Sequence, residues 1–257
     1  MIDLHCHILP NLDDGPTSLE MALEMVRVAL ADGITTTAAT PHGRTSRSVS
    51  WVYSVDLVQQ RIAALRDALA EADLPLTIVP GTEIFYESDV PERIRFGKLL
   101  TYGHSRTILI EFGNDILVTM LEQAVFAIQL AGYRVLVAHP ERIKVVQDNP
   151  NVLIPLIERG ALLQLTADAL TGSQGKRIQH LAETLVSHAL VQVIASDAHG
   201  PHVRRMPLMA EARRQAANLI GDAAATALVH DTPAAILADL PIDPPSPERV
   251  QSRWKFW

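Results

Sequence analysis

Short apolar segments alternate with longer segments of helical periodicity along the chain, and this alternation restricts the possible folds more than any other feature. Each apolar segment has the length of a buried strand, and Thr17 and Glu20 predict a capping box that opens the first helix. Seven β-then-α units without a break in composition predict a parallel α/β barrel or a doubly wound sheet. The strand candidates are residues 1–7, 35–40, 76–84, 107–112, 134–140, 162–167 and 191–199.

Histidine, aspartate and glutamate recur where these predicted strands end. His5 and His7 alternate on the first strand, so both side chains face the same side of the sheet. Cys6 lies between them, faces the other side, and is predicted to be a buried apolar residue. In a parallel barrel the active site lies at the carboxyl ends of the strands, because those ends converge. The other polar residues at or near the ends of predicted strands are His42, Glu83, Glu111, His139, Asp197 and His199.

Asp14 joins this set from the turn "DDGP". The Gly15-Pro16 pair explains one aspartate by ordinary turn formation, and we predict a functional role for Asp14. Glu83 and Glu111 interrupt apolar runs, and a carboxylate on a buried strand is costly unless it is paired or binds a metal. Five histidines and four carboxylates exceed the three or four protein ligands of one zinc ion. The sequence therefore predicts two or three divalent ions, and ligation without thiolate fits Mn²⁺, Fe²⁺, Zn²⁺ or Mg²⁺.

The charge of such a centre indicates an anionic substrate. Three divalent ions and four carboxylates would leave a net charge of about +2 in the pocket. Arg44 follows His42 by two positions and Arg142 follows His139 by three, so each guanidinium could bind phosphate oxygens. Divalent metals lower the pKa of a bound water from 15.7 to about 7, and the resulting hydroxide could attack phosphorus in line. The predicted chemistry is therefore metal-dependent phosphate hydrolysis.

Composition argues against several other classes of protein. The formal net charge of −7 argues against a general nucleic-acid-binding protein, which needs a basic surface. Residues 1–20 lack the basic start and apolar stretch of a secretory signal, and no run of about 18 uncharged apolar residues predicts a membrane span. The single cysteine excludes an intrachain disulfide and is typical of a reducing compartment. We therefore expect a cytoplasmic protein without nucleic-acid partners.

Several of these segments together resemble the polymerase-and-histidinol-phosphatase (PHP) family. They are "DLHCH", "DDGP", "ATPH", "GTEI", "IEF", "AHPER" and "ASDAH", and they are most similar to the bacterial tyrosine-phosphatase branch of the CpsB/CapC/YwqE type. The resemblance implies a distorted TIM-like (β/α)7 barrel with a centre of three divalent metal ions, most often manganese. The implied ligand sets are His5, His7, Glu83 and Asp197 for one ion, Glu83, Glu111 and His139 for a second, and Asp14, His42 and His199 for a third.

The same resemblance implies hydrolysis of protein phosphotyrosine, often on the C-terminal tyrosine cluster of a kinase that governs capsule or exopolysaccharide export. Arg142 matches the position that contacts phosphate in that branch, and Arg44 is the second candidate for phosphate binding. The barrel is predicted to span residues 1–240, and residues 241–257 are predicted to form a Pro-rich C-terminal tail. The predicted catalytic residues are Arg142, His42, Asp14 and His199.

Three other functions use similar residues. A small-molecule phosphatase, for example one for histidinol phosphate, would have the same metals and a different pocket. An amidohydrolase also carries His-x-His on its first barrel strand, but such sites often use a bridging lysine on the fourth strand, where this chain has Glu111. A catalytically inactive scaffold would have lost a ligand, whereas all the predicted ligand positions are filled here.

Overall fold

Parallel strands carry the side chains of interest to one end of the molecule. The computed structural model describes residues 1–43, 53–202 and 205–251. The strands in these ranges are β1 (Ile2–Cys6), β2 (Thr36–Ala39), β3 (Thr77–Pro80), β4 (Glu83–Phe85), β5 (Thr107–Glu111), β6 (Arg134–Ala138), β7 (Leu162–Thr166) and β8 (Val193–Ala195). Their order is β1-β2-β3 in one sheet and β4-β5-β6-β7-β8 in the other, and each neighbouring pair is parallel.

Backbone contacts join the two sheets at both edges. Isolated parallel bridges connect Cys6 with Ala198, after β8, and His42 with Glu83 at the start of β4. The His7 amide donates to the Ala198 carbonyl at 2.8 Å, and the Gly43 amide donates to the Glu83 carbonyl at 2.7 Å. The residues that follow β1 and β2 therefore lie beside β8 and β4. The predicted parallel α/β class is confirmed.

Helices cover the outer faces of the strands. The helix α2 shows the pattern: its buried residues Val58, Ile62, Leu65 and Leu69 are spaced three or four positions apart and lie on one face. None of the helices in the described ranges is long and apolar enough to cross a membrane. The helices are α1 (Leu19–Ala31), α2 (Val55–Glu71), α3 (Val90–Arg95), α4 (Val118–Leu130), α5 (Lys144–Asp148), α6 (Ile154–Glu158), α7 (Ala167–Thr171), α8 (Lys176–Ser187), α9 (Ala210–Ile220), α10 (Asp222–Thr226) and α11 (Thr232–Leu237).

Two local details differ from the sequence predictions. The segment 76–84 contains two strands, so the described ranges hold eight strands rather than seven. Pro80 has no amide hydrogen for a further strand bond, and at this point the chain passes from the partner of β2 to the partner of β5. The first helix is capped by Ser18, whose hydroxyl accepts the Met21 amide at 3.2 Å, and not by Thr17.

The C-terminal segment lies against the body of the protein as far as it is described. Asn151 and Val250 exchange two hydrogen bonds at 2.9 and 3.0 Å, and Val250 is buried. The Glu248 amide donates to the His188 carbonyl at 2.8 Å. The boundary at residue 240 stays a prediction, and residues 252–257 lie outside the described ranges.

Candidate metal centre

The first strand delivers two histidines to the centre. His5 lies on β1 and His7 follows it directly, and both side chains are fully buried. Their Nε2 atoms lie 3.3 Å apart, as the alternation of side chains along a strand predicts. Cys6, between them, is buried in the apolar core and is a free cysteine, as predicted.

Glu83, at the start of β4, is the carboxylate about which four histidines gather. Its Oε2 atom lies 3.3 Å from His5 Nε2 and 3.2 Å from His7 Nε2. The same oxygen lies 3.0 Å from His42 Nδ1, and Oε1 lies 2.8 Å from His139 Nε2. One buried glutamate thus contacts imidazoles from three different strand ends. The first and last of these histidines, His5 and His139, are more than 100 residues apart in sequence.

Asp197 faces histidines on one side and two arginines on the other. Its Oδ1 atom lies 3.3 Å from His5 Nε2 and 3.7 Å from His199 Nδ1. Arg142 Nη2 donates to Asp197 Oδ2 at 2.5 Å, and Arg205 Nη2 donates to Oδ1 at 2.8 Å. The two guanidinium groups are 28 % and 35 % exposed, so they form the solvent-facing border of an otherwise buried cluster.

Two of these residues have an unusual backbone conformation. His139, directly after β6, has a φ of 33°, and Asp197, after β8, has a φ of 52°. A left-handed backbone at a residue other than glycine costs about 1–3 kcal/mol and persists only where its surroundings hold it. Strain of this kind is common where a chain turns sharply to present a functional side chain, and both residues lie at strand ends.

A second group of ligands lies nearer the solvent. Asp14 Oδ1 lies 3.1 Å from His199 Nε2 and 3.5 Å from His42 Nε2, and the Asp14 side chain is 45 % exposed. The donor atoms of these three residues and of His7 all lie within 4.8 Å of one another. Glu111, at the end of β5, forms a similar group with His42 and Glu83. All the predicted metal ligands are therefore brought together at one end of the sheets.

The electrostatics of the cluster reflect burial and crowding. Burial together with the charge of Glu83 raises the pKa of Glu111 to about 7. Burial together with the positive charge of Arg142 lowers the pKa of His139 to about 4, and burial with His7 lowers the pKa of His199 to about 4. These imidazoles are neutral near pH 7, which is the form that binds a metal ion.

A family model with the description "Capsular polysaccharide synthesis, CpsB/CapC" matches residues 1–238. The chain belongs to the CpsB/CapC family. This confirms the resemblance seen in the sequence.

Curated members of the family resemble this chain over most of its length. The tyrosine-protein phosphatase YwqE of Bacillus subtilis (strain 168) is 38 % identical over 206 residues, which are 79 % of this chain and 79 % of that protein. The putative tyrosine-protein phosphatase CapC of Staphylococcus aureus is 35 % identical over 201 residues, or 77 % of each chain.

A solved structure of the CpsB/CapC family has the same fold. It comes from work on YwqE of B. subtilis and CpsB of Streptococcus pneumoniae, described as unique metal-dependent tyrosine phosphatases. It aligns with a TM-score of 0.89 and 32 % identity, and the alignment covers 98 % of this chain and 100 % of that one. The likeness therefore extends beyond the part of the chain that the curated relatives match.

Hydrogen bonds on the far side of the rings fix which nitrogen atoms face the centre. His7 Nδ1 lies 2.6 Å from Asp13 Oδ2, and His5 Nδ1 lies 2.8 Å from Gln164 Oε1. Gln164 Nε2 donates to the Leu165 carbonyl, which fixes its oxygen as the atom that faces His5. Because both acceptors take the Nδ1 hydrogen, the Nε2 atoms of His5 and His7 face each other and the carboxylates, and the charges of Glu83 and Asp13 raise the pKa of His5 and His7, respectively.

The donor set fits divalent cations. Glu83 Oε2 and Glu111 Oε2 are buried and form no hydrogen bond within the described part of the chain, although imidazole nitrogens lie close to Glu83. Unpaired carboxylate oxygens are costly in a protein interior unless positive charge lies beside them, and a bound cation would supply that charge in place of protons on the imidazoles. Imidazole and carboxylate are ligands for Mn²⁺, Fe²⁺ and Zn²⁺, and no thiolate faces this cluster among the described residues, because Cys6 lies in the core.

The sequence analysis did not assign three residues of this site. Asp13 accepts the Gly15 amide, as turn chemistry predicts, and it also holds His7. Gln164 is the polar residue in the otherwise apolar run "LLQL", and Arg205 follows His199 by six positions, whereas Arg142 follows His139 by three. Those two sequence signals could have identified them. Arg44, predicted to bind phosphate, lies outside the described residues.

Proposed function

We propose that this chain is a metal-dependent protein-tyrosine phosphatase. The observation that carries the proposal is the convergence of buried metal-ligand side chains and two partly exposed guanidinium groups on Asp197. Such a site combines cation binding with a rim that suits an anion, which is the combination that phosphate monoester hydrolysis needs. Membership of a family whose curated members are named tyrosine-protein phosphatases supports the substrate class.

The predicted ligands divide into sets that share Glu83. His5, His7, Glu83 and Asp197 would hold one ion, and Glu111 with His139 and Glu83 a second. Asp14, His42 and His199 would hold a third, at the edge nearest the solvent. When bound, the ions supply Lewis-acid activation of water and positive charge toward the phosphate oxygens. The oxygen and imidazole donors fit Mn²⁺, Fe²⁺ and Zn²⁺ alike, and we propose Mn²⁺ because the resemblance to the PHP family implies it.

Arg142 and Arg205 are the groups that we expect to bind the phosphate. Both approach Asp197 from the exposed side, and each guanidinium has more donors than Asp197 can accept. A planar guanidinium binds two phosphate oxygens at once, so the pair would orient the phosphorus atom above the ligand cluster. A second hydrogen bond of Arg205, from Nε to the Asp197 carbonyl at 3.2 Å, helps to hold its side chain at this border.

Phosphotyrosine suits this site for chemical reasons. The phenol of tyrosine has a pKa of about 10, so the phenolate leaves with little help from a general acid. The ligand cluster is buried beneath the arginines, so a long aromatic side chain would reach it more readily than a short serine. We propose that Asp14, His42 and His199, which surround the most exposed part of the cluster, face the reacting phosphate.

The physiological substrate that we propose is a phosphorylated tyrosine kinase of capsule or exopolysaccharide synthesis. The description of the family, capsular polysaccharide synthesis, supports this biological setting. We propose a cytoplasmic location, which the single cysteine favours because such usage is typical of a reducing compartment. Release of phosphate from the purified kinase partner, followed by mass spectrometry of its tyrosines, tests this step.

Substrate comparison tests the activity itself. Purified protein loaded with Mn²⁺ is assayed on a phosphotyrosyl peptide, the matched phosphoseryl peptide and histidinol phosphate, with a chelator-treated sample as control. We expect turnover of the phosphotyrosyl peptide to exceed that of the other two by at least about 100-fold in kcat/KM, and to stop after chelation. Faster hydrolysis of histidinol phosphate would instead identify a small-molecule phosphatase, and undiminished turnover after chelation would contradict metal dependence.

A further inference from the structure

A groove leads away from the two arginines over the carboxyl end of β7. It has a volume of about 630 Å³ and begins at Arg142 and Arg205. Thr171, Ser173 and Gln174 line one side, where α7 ends. Cavities of about 300–1,000 Å³ accommodate ligands much larger than a phosphate group. The groove is therefore wide enough for several atoms of substrate beyond the phosphate.

The side that these residues form is polar and held in place. Gln174 Nε2 donates to Thr166 Oγ1 at 2.9 Å, and Thr166 Oγ1 donates to Glu141 Oε1 at 2.6 Å. Glu141 is fully buried and directly precedes Arg142, so the hydrogen-bond chain ends at the residue before the arginine at the inner end of the groove. A wall that is already ordered can bind a flexible chain at a lower entropic cost.

The rest of the lining is mixed. Met206 and Leu208 line it together with the carboxylates of Asp168 and Glu211, and Leu208 is 40 % exposed although it is a large hydrophobic residue. Hydroxyl, amide and carboxylate groups together with apolar side chains match the two parts of a peptide: its main-chain N–H and C=O groups, and its side chains.

The opposite flank of the centre offers a different surface. A pocket of about 270 Å³ there is lined by Phe85, Tyr86, Phe112 and Met120, and its charged lining residue is the carboxylate of Asp115. A phosphate bound by Arg142 and Arg205 adjoins the groove directly, whereas this pocket shares neither arginine. Continuity with the phosphate-binding residues favours the groove as the path of the substrate chain.

We propose that the groove is a subsite for the peptide segment next to the phosphotyrosine, and that it lets the enzyme select phosphoproteins over free aryl phosphates. This inference rests on the proposed function. The main chain of the peptide binds the hydroxyl and amide groups of Thr171, Ser173 and Gln174, and a neighbouring side chain lies on Met206 and Leu208.

A blocking substitution tests the subsite. Ser173 is exposed, so S173W would place an indole in the groove with little effect on the core. The quantity measured is the ratio of kcat/KM for a phosphotyrosyl peptide to kcat/KM for p-nitrophenyl phosphate, which has no flanking residues. We expect S173W to lower this ratio about tenfold, since the lost contacts serve the peptide alone.

Two matched variants serve as controls. S187W makes the same change at the exposed end of α8, and M120W changes the apolar pocket on the other flank. Both should keep the ratio within about twofold of the unmodified protein. An unchanged ratio in S173W would overturn the proposal, as would an equal loss on both substrates or a larger fall in M120W. Absence of turnover on either substrate by the unmodified protein would instead refute the proposed function.

A binding measurement gives a second readout that does not depend on catalysis. Calorimetry with a peptide that carries a non-hydrolysable phosphonate in place of phosphotyrosine should give a Kd about tenfold higher for S173W than for S187W. The free phosphonate amino acid should bind both variants equally. Equal peptide affinities in the two variants would overturn the subsite.

Discussion

Buried or partly buried carboxylates lie at both ends of the parallel strands, but their partners differ between the two ends. At the amino ends, Asp239 accepts the Arg106 amide at 3.0 Å and Arg106 Nε at 3.1 Å, and it also binds the Arg134 guanidinium. Arg106 precedes β5 and Arg134 begins β6. At the carboxyl ends, Glu83 lies among four imidazoles and keeps one oxygen without a hydrogen bond in the described structure.

The difference separates a structural ion pair from a candidate reactive site. Asp239 has cationic partners within the chain, and the Arg106 amide and the two arginines lower its pKa to about 2. The carboxylates at the other end outnumber the fixed cations near them, and burial with the charge of Glu83 raises the pKa of Glu111 to about 7. Arginines of the chain neutralise Asp239, whereas at the other end the pKa values of His5, His7 and His42 are raised, and a bound cation would take the place of protons on these imidazoles. Four substitutions and one treatment, removal of metal, test this difference between the two ends.

The largest effect is expected from H139A. Its imidazole lies 2.8 Å from Glu83 Oε1 and 4.0 Å from Glu111 Oε1, so its loss removes a neutral ligand between two carboxylates. We expect kcat/KM on a phosphotyrosyl peptide to fall at least about 1,000-fold, together with metal content. Phosphate release and elemental analysis measure the two effects. Unchanged metal content and activity would show that His139 is not part of the metal centre.

Replacement of Arg142 should separate phosphate binding from metal binding. R142A is expected to lower kcat/KM about 100-fold, because one charged donor to the phosphate is lost. Metal content should stay close to that of the unmodified protein, since the ligands themselves remain. R142K should recover only part of the activity, because lysine cannot bind two phosphate oxygens in a plane. Full activity in R142A would contradict the assignment.

The variant D13N tests how His7 is held. The Asp13 carboxylate accepts from His7 Nδ1 and, at 3.0 Å, from the His42 amide, so it connects two ligand segments. We expect metal affinity to fall about 10–100-fold, since outer partners of ligating histidines typically contribute that much. Metal competition titrations measure it, and D239N is the matched control. Equal affinities in the two variants would show that Asp13 serves only the turn.

These three predictions also show which parts of the site could be predicted from the sequence. The phase of polar residues at strand ends predicted every candidate ligand except Asp14, which the turn suggested, because strand alternation and parallel pairing are local rules with a fixed geometric result. The role of Gln164 was not predicted, because its contact with His5 joins residues 159 positions apart and depends on the relative positions of β7 and β1. The separation of β3 from β4 depended likewise on a crossing between sheets. Local pattern predicted the candidate ligands, whereas the residues that position them depend on tertiary register.

Removal of metal should affect the stability of the protein as a whole. Ions that bind the folded state at about 100 times their Kd add about 2.7 kcal/mol to the free energy of unfolding. We expect chelation to lower the melting temperature by several degrees and Mn²⁺ to restore it. Calorimetry measures the shift, which should be equal in D239N. An identical melting temperature with and without chelator would contradict cation binding in the fold.

The smallest effect is expected at the amino ends. The pKa of Asp239 is lowered from 3.8 to about 2, so its ion pairs stabilise the fold above pH 3.8, and this contribution is lost as the pH falls toward 2. D239N should lower the melting temperature by about 1–4 °C at pH 7, because the pairs are partly exposed. The difference should shrink as the pH approaches 2. A difference that is constant with pH would contradict the ionic origin.

The most direct measurement of the central claim is the number of divalent ions that one chain binds at this cluster. Equilibrium dialysis against Mn²⁺, followed by elemental analysis, gives that number for the unmodified protein and for H139A. The account predicts about three ions per chain, with at least one lost in H139A. Fewer than one ion per chain in the unmodified protein, or an equal number in both proteins, would contradict it.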